Sequence, residues 1–197
     1  MRAGTVDEIG RTSGDWVFVD VGFSRESKTS GLLVNDGQPI EVTFNDLRQE
    51  LLKLTKQEGP AINLVLEAPL SVAFTRDGNP AGRSIERRGT EHRYWYAGLG
   101  CQVTLAAAYL LRSILAVQST REIRLFEAFV SFKSKGAKSS HAADVISIRS
   151  VVWNPHQHAG KIIAPENLAG PHTKTMESAF AVYGFNCGIP PVLIAGA

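Results

Sequence analysis

The sequence predicts a single soluble α/β domain built around a mixed sheet, and three observations carry that prediction. The chain has 197 residues, 44% hydrophobic and 20% charged, a composition that suits one packed domain and excludes disordered and fibrous classes. Short runs of β-branched and aromatic residues alternate with segments of helical periodicity, the pattern of a sheet covered by helices. Acids also stand inside runs that are otherwise apolar.

Trp16 to Phe23 is a buried strand carrying Asp20, because its β-branched and aromatic residues suit a pleated surface. Thr29 to Val34 is a second strand, Asn35-Asp36-Gly37 a hairpin turn, and Gln38 to Thr43 a third strand. Thr43 or Asn45 caps the next helix, in which Phe44, Leu47, Leu51, Leu52 and Leu54 recur at helical spacing until Gly59-Pro60 stops it. Ala61 to Glu67 is a short apolar central strand ending in an acid.

From Ser71 to about Gly89 the composition turns to Arg, Gly, Asn, Pro and Asp, with Arg76, Arg83, Arg87, Arg88 and Arg93 close together, and a long exposed loop is expected. Tyr94 to about Val117 is helical and apolar all round, hence buried against the sheet. Glu122 to Phe132 alternates like a strand with Glu127 in its middle. Lys133 to Ser140 is a basic loop whose Ser140 caps a helix over His141 to Ile148. A helix over Thr173 to Tyr183 and an extended Pro190 to Ala195 close the chain. The core is expected at about residues 15–153, with 154–197 as a C-terminal extension of the same domain.

The apolar stretches Val103–Leu111 and Ala179–Val182 fall well short of the ~20 residues of a membrane span, so no membrane partner is expected. The N-terminus carries acids where a signal peptide has a basic and then an apolar region, which points to the cytoplasm. Cys101 and Cys187 are read as reduced thiols. A net charge of +2 is too small for binding driven by bulk charge, so any nucleic-acid role must come from local patches. No Gly-rich phosphate loop with Lys and Ser or Thr occurs.

On buried central strands Asp20, Glu67 and Glu127 would each be costly to bury singly, and they make sense when gathered around cations. The order strand, strand, strand, helix, strand, helix, strand, helix, with acids on the first, fourth and fifth strands and in the last helix, resembles the ribonuclease-H-like superfamily. The likeness is greatest to its Holliday-junction-resolvase-like and predicted-nuclease branch. It covers roughly Trp16 to Trp153 and is carried by Val19-Asp20-Val21-Gly22, by Val65-Leu66-Glu67-Ala68-Pro69-Leu70 and by His141-Ala142-Ala143-Asp144.

The resemblance implies a nuclease cleaving phosphodiester bonds of DNA or RNA with two Mg²⁺ or Mn²⁺ ions ~3.5–4 Å apart. Asp20 would bridge the ions, Glu67 and Asp144 would hold one each, and His141, at i and i+3 from Asp144, would be a ligand or proton carrier. Glu127 is either a further ligand and catalytic acid or the partner of an arginine. Resolvase-like relatives are often dimers, which admits a homodimer here. The alternative is a non-catalytic nucleic-acid-binding or scaffold protein on the same fold. An actin-like nucleotidase is disfavoured, since it needs two such domains.

Arg83, Arg87 and Arg88, with Arg93 and the neighbouring Tyr94, Trp95 and Tyr96, are candidates to track phosphates and stack bases. Equally, they are solvated arginines beside the aromatic start of a buried helix. Lys135 and Lys138 are candidate backbone-phosphate contacts or simply soluble surface. His156, His158 and His172 have no neighbouring acids or cysteines and stay outside the site.

Overall fold

The computed structural model describes residues 1–22, 27–130, 132 and 140–196. In chain order the strands are β1 (Arg2–Ala3), β2 (Asp15–Asp20), β3 (Ser30–Val34), β4 (Ile40–Val42), β5 (Ile62–Glu67), β6 (Ser71–Phe74), β7 (Pro80–Ala81), β8 (Arg87–Arg88), β9 (Glu91–His92), β10 (Ile123–Phe129), β11 (Ile162–Ile163), β12 (Thr175–Ser178) and β13 (Val192–Ile194). The α-helices are α1 (Phe44–Lys56), α2 (Leu99–Leu115) and α3 (His141–Trp153).

The main sheet runs β11-β13-β10-β5-β2-β3-β4, with β1 also added to β10. It is mixed: β2, β5, β10 and β13 are parallel neighbours, whereas β3 is antiparallel to both β2 and β4. Alternate residues of each strand feed opposite faces. On one face Val17 and Val19 of β2 and Leu64 and Leu66 of β5 pack with Leu47 and Leu51 of α1 and with Leu110, Leu111 and Ile114 of α2. On the other, Trp16 and Phe18 of β2, Val65 of β5 and Phe126 of β10 pack with Val145, Ile148 and Val152 of α3. Helices therefore cover both sides, and the central strands β2, β5 and β10 are buried between them.

Local chemistry sets the helix ends. The Thr43 hydroxyl accepts from the Asp46 N–H at 3.1 Å, and the Ser140 hydroxyl from the Ala143 N–H at 3.2 Å, satisfying donors that a helix N-terminus leaves open. Helix α2 starts at Leu99 rather than at Tyr94, because a turn intervenes and Gly98 adopts φ +53°, a conformation that a residue with a Cβ takes only at a cost. Asn35, in the predicted hairpin turn, also has positive φ, +49°.

Two expectations are corrected. The 71–89 stretch is not one exposed loop: Ser71–Phe74 is a buried strand pairing with β12 and β7 in a second sheet, its apolar Val-Ala-Phe outweighing the polar residues after it. Residues 175–178, expected in a helix, form β12 as the partner of β6, with a single 3-10 turn only at Ala181–Tyr183. The 154–197 segment, expected as an extension of the same domain beyond a core at about 15–153, supplies β13, which continues the main sheet in parallel alongside β10. No helix among the described residues is long and apolar enough to cross a membrane.

Candidate metal centre

Asp20 ends β2 and Glu67 ends β5. The strands are parallel neighbours and these residues are register partners, so the two carboxyl groups leave the same face at the same edge of the sheet. That face is the one α3 covers: Asp20 is in step with Trp16 and Phe18, and Glu67 with Val65. Asp144 stands in the first turn of α3, where the helix dipole favours negative charge, and the packed Val145 and Ile148 fix the helix against the sheet. One carboxylate oxygen from each of Asp20, Glu67 and Asp144 lies within 4.8 Å of the others. Asp20 and Asp144 are only 7% and 6% exposed.

A glycine permits the approach of α3. Gly31 is the cross-strand partner of Asp20 on β3, and a Cβ there would stand 2.5 Å from the carbonyl oxygen of His141. Only a residue without that atom lets the first turn of α3 sit so close to the β2–β3 pair. His141 then brings its Nδ1 to 2.6 Å from Oδ2 of Asp20, while its side chain stays 38% exposed at the rim.

Three carboxylates this close repel one another. Burial pushes the Asp20 carboxyl above its usual pKa, against the pull of His141, and the negative charge of Asp144 pushes it further. The donor set is all oxygen, with an imidazole alongside, and suits a hard divalent ion such as Mg²⁺ or Mn²⁺.

Asp20 and Glu67 open into a cleft of about 490 Å³, whose far wall is built by the 92–100 segment ahead of and into α2. Trp95 anchors that wall. Its backbone N–H donates to Oε1 of Glu86 at 2.9 Å, its indole N–H donates to the Ala81 carbonyl at 3.0 Å, and its ring meets Phe74 edge-on at 5.8 Å.

Among the predicted site residues, Asp20, Glu67, Asp144 and His141 come together, and Glu127 does not join them. Glu127 is in step with Ile123 and Leu125, which face α1 and α2, so its side chain leaves the opposite side of the sheet from Asp20 and Glu67. It is 1% exposed, with Nη1 of Arg83 at 2.8 Å and the Leu70 N–H donating to it at 2.8 Å. The arginine-partner reading of Glu127 therefore describes it. The residue of β10 that faces the acid side is Ala128, which lines the cleft.

Arg83 is corrected with it, because it is fully buried rather than presented to a phosphate. Nε and Nη2 donate to Oε1 of Glu86 at 3.1 and 2.9 Å, and Nη1 donates to the Ser71 hydroxyl at 2.9 Å. Arg87 and Arg88 are exposed on the β8–β9 hairpin. Lys135 and Lys138 lie outside the described residues.

Glu86 and the 92–96 wall are site features that the sequence reading did not assign to the acids. The Arg83/Glu86 spacing of three was a readable signal for an ion pair, whereas the wall reaches the acids only through tertiary folding. No family model, curated protein or solved structure matches this chain.

Proposed function

We propose that the chain is a metal-dependent phosphodiester hydrolase of ribonuclease-H-like fold, acting on nucleic acid. The observation that carries this reading is the convergence of the Asp20, Glu67 and Asp144 carboxylates within 4.8 Å at one edge of the sheet, beside an open cleft. It is supported by the order β2-β3-β4-α1-β5, then α2, β10 and α3, along the chain, which apart from the strands β6–β9 inserted between β5 and α2 is the order that the resemblance implies. Two bound Mg²⁺ or Mn²⁺ ions would supply activation of water and neutralisation of charge on the departing oxygen. Asp20, Glu67 and Asp144 would hold the ions, with His141 bonded to Asp20 beside them.

The chain's own groups do the rest. His141 holds the Asp20 carboxylate by its Nδ1 at 2.6 Å, and its partly exposed ring at the rim is placed to serve as a further ligand or proton carrier. The pinned Trp95 wall limits the direction from which a substrate reaches the acids. Arg87 and Arg88, exposed on the hairpin next to that wall, offer charge to phosphates.

Divalent titration tests the metal claim. Mn²⁺ should raise the melting temperature of the wild type by ligand linkage and leave that of Asp20→Asn unmoved. Equal shifts in both would remove the proposed site. Cleavage is read separately, on single-stranded, duplex, branched and hybrid substrates. Mn²⁺-dependent products abolished in Asp144→Asn are expected, and nucleic-acid binding without products on any substrate would favour the scaffold alternative.

A further inference from the structure

The 92–96 segment carries a feature that the acid cluster does not use. His92, Tyr94 and Tyr96 form a row of stacked rings, with centroids 4.8 Å apart at 21° for the first pair and 5.2 Å apart at 13° for the second. The row spans two clefts: His92 and Tyr94 line the acidic one, while Tyr94 and Tyr96 line a second cleft of about 570 Å³. Its two ends are open to solvent, since His92 is exposed and Tyr96 is 37% exposed.

The row is held in place. A Cβ at Gly82 would fall 2.5 Å from Cε1 of Tyr94, so the chain passes directly against the central ring. Between the stacked residues, Trp95 is tied back by its bonds to Glu86 and Ala81. Rigid aromatic faces lose little entropy when a further ring is added to them. Each cleft also receives an exposed arginine from the same stretch, Arg93 in the acidic one and Arg87 in the second. Aromatic faces interleaved with cations suit a strand whose bases are free to stack. A duplex, whose bases are already stacked on one another, cannot offer those faces without unstacking.

We infer that this row is a binding platform for an unpaired nucleic-acid strand, whose bases extend the stack at the His92 and Tyr96 ends while Arg93 and Arg87 contact its phosphates. The inference rests on the phosphodiesterase reading, and it makes single-stranded DNA or RNA, or the single-stranded part of a larger structure, the substrate class of the acidic site.

Fluorescence anisotropy with the full chain in EDTA tests it, using labelled DNA and RNA oligonucleotides of about twelve nucleotides and a blunt duplex of the same length. A single strand should bind at least about tenfold more tightly than the duplex, and Tyr96→Ala and His92→Ala should each weaken it by at least about fivefold. Tyr96→Phe, which keeps the ring, should bind like the wild type. Equal affinity for duplex and single strand, or unchanged affinity in Tyr96→Ala with its melting temperature preserved, overturns the platform. The two readings fail separately: tight, ring-dependent strand binding without any Mn²⁺-dependent product sinks the nuclease alone, and duplex cleavage indifferent to Tyr96→Ala sinks the platform alone.

Discussion

Arg83 shows how much depends on one buried charge. Its guanidinium, with no solvent exposure, stands between Glu86 and Glu127, which are 1% exposed as side chains. Removing one partner from such a group costs more than the net worth of the pair, because the remaining charges stay buried and uncompensated. Arg83→Met should therefore destabilise the fold by about 3–5 kcal/mol in urea denaturation. Burial already pushes the Glu86 carboxyl up, with the attraction of Arg83 opposing it. A raised carboxyl makes its stabilising contribution below its unfolded pKa and loses it as the pH climbs through the folded one. Without Arg83 that loss deepens, so the variant's deficit against the wild type should be larger at pH 8 than at pH 5. A deficit independent of pH would mean that packing, not charge, is the role of Arg83. The residue scale is also where the sequence was least legible. The acids Asp20 and Glu127 look alike on apolar strands, and only their step relative to neighbouring apolar residues separates a member of the acid cluster from the partner of Arg83. Glu127 shares parity with Ile123 and Leu125, but which side of the sheet that parity serves is set by the packing of α1 and α2, not by the strand's own sequence.

Among the elements, α3 decides whether the acids meet. Two of the four clustered side chains come from its first turn, and that turn is closed down onto β3 at Gly31. Gly31→Ala would drive a methyl group into the His141 carbonyl, so the helix start must move by some tenths of an ångström or more, at about 1–3 kcal/mol in stability. The displacement carries His141 and Asp144 away from Asp20. The expected result is a protein that still melts cooperatively but gains much less melting temperature from Mn²⁺ than the wild type does. Undiminished stabilisation by Mn²⁺ in Gly31→Ala would show that the cluster does not depend on that closeness. Element identity was largely legible: the meander, α1, the central strand and the Ser140-capped α3 follow from alternation, helical spacing and capping chemistry. Strands β6 and β12 were not, because each is short and is held by pairing with the other across about a hundred residues, a constraint that no local window contains.

At the scale of the molecule, the sheet is completed by chain that follows the last of the clustered acids. Beyond α3 the chain contributes β11, which pairs with β13, and β13, which lies parallel to β10 over Glu127, Ala128 and Phe129. The same region supplies Leu168, Phe180, Val192 and Leu193, all fully buried, and spreads them over all three apolar clusters. At about 1.5–3 kcal/mol for each such side chain, their burial amounts to about 6–12 kcal/mol. Whole domains are stable by about 5–15 kcal/mol. A chain ending after Trp153 keeps Asp20, Glu67, His141 and Asp144 yet loses the neighbour of β10 along the segment next to the cleft, leaving an exposed strand edge that invites aggregation. Such a truncation should lack a cooperative thermal transition and bind a hydrophobic dye, with no stabilisation by Mn²⁺. A soluble, cooperatively melting 1–153 fragment would instead make the C-terminal quarter an addition to a self-sufficient core.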